Sequence, residues 1–419
     1  MYIDVHALLV RSNKQQGLGY MRQPDAEAME IKTSRLANLD ILRGVVILAI
    51  LIININYFST PSLLRYNPLA FGEFSSLDQW AWFLEYSLVK QRFMTLLAML
   101  YGFGIMLFSA KYEKLGASPA KPFVYRSLLL LLFGLAHAYL IWDGDILVAY
   151  AICGLLVFWL RATPASVLVG LGLLLAFGSV APDMWNAIQN MTNPPATPDW
   201  WSPEATTTQQ QALQKYQGSW WALTPDRVAA AWQRQSLDFV YFTVWRCCGL
   251  MMLGMGLWKL GVLTSKAALK QCAIWGLLIG LVISLGATWA FVNSGFSYDA
   301  FMGVNSLGFY LGSIILAFGY LGLIMLWGRT SFLASVQSIL AKAGRMAFSL
   351  YIMQSLICAM LFYGYGFDWF GKVSRSELWL VTLAIWAFQL MFVAVWFKYF
   401  KRGPLESIWR KGYEWAANH

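Results

Sequence analysis

Charge is what this sequence has least of. Only 12% of its 419 residues are Asp, Glu, Lys or Arg, against 58% hydrophobic residues. Soluble domains carry about 25% charged residues. A water-soluble fold of this length would have no means of covering so much apolar surface, and the soluble classes are excluded. Alternation is also missing: runs such as LLLLLFGLA and LVGLGLLLAFG are apolar without break, which excludes a spanning β-barrel. Histidine occurs only three times. Metal sites built on paired histidines are therefore not expected within the apolar region. The five cysteines, Cys153, Cys247, Cys248, Cys272 and Cys358, all lie in apolar runs without zinc-like spacing. They read as small buried hydrophobes. No P-loop or dinucleotide fingerprint is present, because Gly102 and Gly104 fall inside an apolar span.

What is present is a series of apolar segments near 20 residues long, the length needed to cross a bilayer as helix. They cover 40–58, 91–110, 122–141, 145–161, 164–183, 239–259, 271–292, 304–327, 346–364 and 378–397. The fold class is all-α: a polytopic membrane bundle of about ten transmembrane helices. Residues 79–90, which mix aromatics with Glu85 and Lys90, read as an interfacial helix leading into the second span. No signal peptide is expected. Residues 1–35 are polar and aperiodic and are expected to be irregular. Residues 36–403 form one transmembrane domain, with an external loop near 184–238 that has room for short amphipathic helices. Residues 404–419 form a C-terminal tail.

The net charge of +10 suits cytoplasmic loops better than nucleic acid. Lys and Arg cluster in the N-terminal tail, after the second and sixth spans, between the eighth and ninth, and after the tenth. All of these fall on one side when both termini are cytoplasmic, as the positive-inside rule requires. The partner expected on this reading is the lipid bilayer.

Ionisable groups inside spans are expensive and mark candidate functional sites. In the first span, Asp40 and Arg43 sit at the cytoplasmic end and Asn54 in the outer part. Arg43 and Asn54 share a helix face, separated by roughly 16 Å. The plain alternatives are an N-cap for Asp40 and a snorkelling arginine for Arg43. Arg92 opens the second span. His137 lies about one turn below the outer surface, and Asp143-Gly144-Asp145 turns the chain into the fourth span. Arg246 lies about two turns into the sixth span from outside. Asn54, Arg92, His137, Asp143, Asp145 and Arg246 thus fall at one depth on five helices, as the wall of one outward polar cavity. Imidazole suits proton transfer near neutral pH. Asp143 or Asp145 would orient it, while Arg92 and Arg246 would hold an anionic group. The alternatives stay open: a hydrogen-bonded core histidine, an ordinary capped turn, and a buried ion pair between Arg246 and one of the acids. In the ninth span Arg345 is cytoplasmic. Ser349, Tyr351 and Gln354 climb from it as interhelical glue or as the lining of a passage.

LDILRG, RFMTLLAMLYGFG, HAYLIWDGDILVAY, GRMAFSLYIMQSLIC and KYFKRGPLESIWR together resemble the YeiB-like family of bacterial inner-membrane proteins, over nearly the whole chain from about residue 35. More distantly, that family is similar to transmembrane acyltransferases such as the lysosomal heparan-glucosaminide N-acetyltransferase and the bacterial enzymes that O-acylate surface polysaccharides. The resemblance implies a multi-pass protein of the bacterial inner membrane. Its donor substrate would be acyl-CoA from the cytoplasm, with no cofactor bound, and its acceptor a small molecule or glycan outside. In the polysaccharide enzymes an arginine precedes the catalytic histidine by eleven positions. Arg43 matches the arginine, but Asn54 stands where the histidine would be. The lysosomal enzyme's catalytic histidine lies in the first luminal loop, and residues 59–78 here contain none. On the acyltransferase reading His137 is the base, Asp143 or Asp145 steadies it, and Asn54 or Arg246 meets the oxyanion. Asp40, Arg43 and Arg345 flank donor entry. The alternative function is a proton-coupled transporter or exporter of a small amphipathic compound. A non-catalytic scaffold is the third reading.

Overall fold

A computed structural model describes residues 23–418 except 62–65, 71–73, 194–195, 199–200 and 202–205. Among the described residues there is no strand. The helices in chain order are α1 (Gln23–Ser59), α2 (Ser76–Leu84), α3 (Arg92–Lys114), α4 (Ala120–Leu140), α5 (Leu147–Phe158), α6 (Ala165–Gly178), α7 (Ala181–Thr192) and α8 (Thr206–Tyr216). They continue with α9 (Trp220–Gln235), α10 (Val244–Lys259), α11 (Lys266–Asn293), α12 (Ser306–Trp327), α13 (Ala334–Arg345), α14 (Ala347–Phe362), α15 (Arg375–Tyr399) and α16 (Pro404–Asn418). Each of the ten apolar segments is helical.

Among the described residues, seven stretches are long and apolar enough to cross a membrane, and α13–α14, bent by 83°, makes an eighth when taken as one span. The expected spans at 145–161 and 164–183 are short apolar helices, ending at Ala162 and Gly178. Helix α6 has 14 residues, about 21 Å of rise, less than a hydrocarbon core of about 30 Å. The tail expected to be irregular differs over 23–35, which are helical and continuous with α1. Residues 1–22 lie outside the described residues. The loop near 184–238 holds α8 and α9, and the C-terminal tail is the helix α16. All five cysteines are free, four of them buried.

Small residues decide which helices touch. Gly102 of α3 and Gly254 of α10 lie in the YGFG and LGMG segments. A Cβ at Gly102 would strike the Met251 carbonyl, and one at Gly254 the Met99 carbonyl. The two backbones meet reciprocally, as close membrane packing demands. Gly44 and Gly344 do the same for α1 and α13, meeting Leu340 and Asp40 carbonyls. Gly102→Leu is therefore expected to cost at least about 1–3 kcal/mol from overpacking, read as a lower melting temperature in detergent. Gly104→Ala, with nothing within 4 Å of its added carbon, should leave that temperature unchanged.

Candidate functional site

Helix α4 ends one turn after His137, whose carbonyl accepts the backbone N–H of both Ile141 and Trp142. The chain then turns back through Asp143-Gly144-Asp145 into α5. Gly134, one turn before His137, allows the approach: a Cβ there would crowd Val148 at the start of α5. Asp145 does two things at once. Its Oδ2 accepts the Val148 N–H at 2.8 Å, and its Oδ1 lies 2.8 Å from His137 Nδ1. An ionised carboxylate only accepts, so in the neutral imidazole this contact selects the tautomer with the proton on Nδ1 and the lone pair on Nε2. Both side chains are 1% exposed, and Nε2 has no hydrogen-bond partner among the described residues. Tyr351 of α14 packs its ring 5.1 Å from the imidazole, with Trp142 at 6.2 Å. The Tyr351 hydroxyl stands 3.5 Å from the Gly144 carbonyl, at the outer limit of a hydrogen bond.

The other expected residues do not join this pair in one cavity. Asp143 forms an ion pair with Arg234 of α9 at 2.9 Å. Arg92, fully buried, donates to the carbonyls of Tyr86 and Lys90. It thereby closes the end of the helical turn Glu85–Val89, where carbonyls lack helical partners. Arg246, for which an ion pair with an aspartate is the plain alternative to holding an anion, instead donates from its Nη2 to the hydroxyls of Thr95 on α3 and Ser313 on α12, at 3.2 and 3.0 Å. Its Nη1 has no partner among the described residues. Tyr150 of α5 lies near both Arg246 and Tyr351, but its hydroxyl donates to the Met94 carbonyl at 3.4 Å. Asn54 is half-buried and hydrogen-bonds none of them. Asp40 and Arg43 pair with each other at 2.7 Å, and Arg43 reaches toward the Gly344 carbonyl. Gln354 acts as glue, bonding the Ile47 carbonyl and Gln389. Among the described residues no three His, Cys, Asp or Glu side chains come together to hold a metal.

Two sites were not singled out by sequence. The first is a buried ion pair, Glu85 with Arg375 at 2.6 Å, supported by Asn56. It faces a small pocket, partly open to solvent, also lined by Trp82, Tyr86 and Lys90. Glu85 had the look of an interfacial acid beside Trp and Lys, and only the helical period that puts it with Trp82 hinted at burial. The second lies on the face that carries Arg345, where Glu406 of α16 caps α14. It accepts the backbone N–H of Phe348 and Ser349 at 2.9 and 3.1 Å and the Ser349 hydroxyl. Burial pushes the Glu406 carboxyl above its ordinary value of 4.5, against the hydrogen bonds from Ser349 and Phe348. A raised carboxyl binds its proton more tightly when docked. Docking of α16 should therefore be tightest at low pH and weaken as pH rises from 4.5 through the raised value. Arg345, Lys401 and Arg402 face the same space. Hydrogen exchange of α16 across pH should show that slope, and Glu406→Gln should flatten it.

Comparison with known proteins places this geometry in a family. The family described as "Protein of unknown function (DUF418)" matches residues 257–416. The uncharacterized protein YeiB of Escherichia coli (strain K12) is 30% identical over 392 residues, 90% of this chain and 96% of that protein. The uncharacterized protein YxaH of Bacillus subtilis (strain 168) is 30% identical over 401 residues, 91% of this chain and 94% of that protein. The chain belongs to the YeiB-like family. An uncharacterized 39.9 kDa protein from the amylase 3' region of Bacillus acidopullulyticus is 27% identical over 382 residues, 90% of this chain and 93% of that protein. No solved structure matches. As a YeiB-like protein the chain is a multi-pass helical membrane protein, and its chemistry has to be argued from its own buried polar groups.

Proposed function

We propose that this YeiB-like protein is a transmembrane acyltransferase of the bacterial inner membrane. It would pass an acyl group from a cytoplasmic thioester donor, acyl-CoA, to a small-molecule or glycan acceptor on the other side. One observation carries the reading: a buried imidazole with Nδ1 held by Asp145 and Nε2 without a hydrogen-bond partner among the described residues. That is the arrangement a general base needs. Nε2 takes the proton of an acceptor hydroxyl or amine as the oxygen or nitrogen attacks the thioester carbonyl. The carbon–sulfur bond then breaks, the acyl group stays on the acceptor, and the proton passes to the departing thiolate. Asp145 stabilises the imidazolium formed on the way. The acyl-transfer reading assigns charge on the carbonyl oxygen to Arg246, a buried cation without a carboxylate partner among the described residues, and so requires the substrate to reach from the His137 pair to α10. Asn54 remains a second candidate for that role. Asp40, Arg43 and Arg345 mark the donor side. The test is thiol release from acyl-CoA by protein reconstituted in liposomes, with acyl product recovered on an external acceptor. If acyl-CoA is neither bound nor consumed with hydroxyl and amine acceptors, the reading fails.

The same buried His–Asp pair also suits proton-coupled transport. Vesicle flux measured at two pH values separates the readings: pH-dependent solute movement without thioester cleavage favours transport.

A further inference from the structure

The His137–Asp145 pair is sealed, so nothing reaches Nε2 until an element beside it moves. Among the helices around it, α9 is the least embedded. It buries three of its 16 side chains, Leu223, Arg227 and Ala231, whereas α14 buries eight of 16 and α5 eight of 12. Yet α9 lies on the end of α4. The last carbonyls of a helix lack helical partners, and α9 supplies two of them. Arg227 Nε donates to the Tyr139 carbonyl and the Trp220 indole to the Leu140 carbonyl, both at 2.9 Å. The Tyr139 hydroxyl donates to Gln235 at 3.2 Å. Arg234 reaches Asp143 in the turn and lies close to Tyr351. Leu223 packs into the cluster that holds Trp142, whose ring stands 6.2 Å from the imidazole.

These attachments hold α9 in place without burying it. The Arg234 and Asp143 side chains are 39% and 17% exposed, and an ion pair that open to water is weak and screened by salt. At its far end α9 breaks. Ser236 leaves helical geometry, with φ −107° and ψ −88°, and a wide helical turn over Phe239–Thr243 follows before α10. Such a break lets a few residues absorb a change of φ and ψ, as a hinge does. Opposite the docked face, Trp221, Val228 and Trp232 form an exposed apolar stripe, which suits the interfacial layer of a bilayer. A released α9 therefore stays at the membrane surface and can dock again.

We propose that α9 is a lid over the His137 centre, hinged at Ser236 and latched by Arg234 on Asp143. The inference rests on His137 being the reactive group of the proposed function, and it concerns access rather than chemistry. Docked, α9 keeps water from the imidazole. Lifted, it opens the space beside Trp142 and the Asp143-Gly144-Asp145 turn to the acceptor. The experiment measures that access. Diethyl pyrocarbonate modifies an unprotonated imidazole nitrogen. Mass spectrometry of the peptide holding His137 reads the rate in full-length protein in nanodiscs, with N-acetylhistidine as the open reference.

Wild-type protein should react at least about a hundredfold more slowly than the reference, because the lid must open first. Arg234→Gln should raise the rate about two- to fivefold, the range a half-exposed ion pair supports. Arg227→Met/Arg234→Gln also removes a charged hydrogen bond and should raise it at least about tenfold. Asp143→Arg/Arg234→Asp remakes the pair with its charges exchanged and should return the rate to within about twofold of wild type. One rate shared by wild type and all three variants overturns the proposal, and so does a wild-type rate close to the reference. Where a variant fails to fold, the wild-type protein decides. Modification that quickens with salt upholds the latch, and a rate indifferent to salt overturns it. Access that follows α9 in a protein that consumes no acyl-CoA keeps the lid and defeats acyl transfer. Acyl transfer with access indifferent to α9 does the reverse.

Discussion

His137→Gln is expected to lower thioester consumption by about 10²–10⁴-fold, the usual contribution of a positioned acid–base group, while the protein stays folded. The choice of glutamine matters. Its amide nitrogen can still donate to Asp145 Oδ1, the acceptor now 2.8 Å from Nδ1, so the buried carboxylate keeps a partner. What disappears is the lone pair at Nε2. His137→Ala removes both and adds the cost of a buried carboxylate without its partner, so it should lose stability as well as turnover. Asp145→Asn separates the two roles of Asp145. Its amide oxygen can still accept the Val148 N–H, which preserves the start of α5. A carboxamide can also donate to Nδ1, and it then selects the other tautomer and ties up the wrong nitrogen. A large loss of rate with an unchanged melting temperature is the expected result. Rates in His137→Gln within a few-fold of wild type, with normal expression, would remove the imidazole from the chemistry.

The helices were legible because the bilayer forces them to be: each span needs an apolar run of limited length, and ten such runs stand out. Which helices are neighbours was not legible, and the assignment of polar partners depends on that. The five helices at one depth suggested a single cavity. The folded chain instead distributes the groups. Asp143 turns to Arg234 on α9, a helix inside the stretch read as an external loop. Arg246 turns to hydroxyls of Thr95 and Ser313, contributed by α3 and α12. Hydroxyl residues in apolar helices are too common to advertise such a contact. Asp-Gly-Asp was open to reading as a capped turn or as a functional pair. Asp145 is both, because a carboxylate has two oxygens and the turn aims one at each task. Tyr351 and Gln354 sit three residues apart on α14 yet divide between site and glue: Tyr351 meets His137, while Gln354 ties α14 to α1 and α15. That division follows from helix packing, which a single sequence does not encode visibly.

Breaking the Glu85–Arg375 pair should give the largest stability loss of any single polar substitution considered. The two side chains are 4% and 11% exposed and 2.6 Å apart, so neither charge has much water to fall back on. Removing one partner of a buried pair typically costs about 3–5 kcal/mol, because the remaining charge is stranded. Arg375→Met leaves Glu85 with Asn56, whose amide donates at 3.2 Å. One neutral donor compensates only part of a carboxylate's desolvation. Glu85→Leu should also destabilise, for the opposite reason, because it removes the carboxylate that lies 2.6 Å from the Arg375 guanidinium. The double variant Glu85→Leu/Arg375→Met strands nothing and should recover most of the loss, as apolar replacement of whole buried pairs often does. Thermal melting of the four proteins in one detergent, read as a double-mutant cycle, gives the coupling directly. Singles that melt with wild type would show the pair to be hydrated and energetically idle. A double variant that melts normally but no longer consumes acyl-CoA would assign the pair to function, since it was then kept at a cost that folding alone does not require.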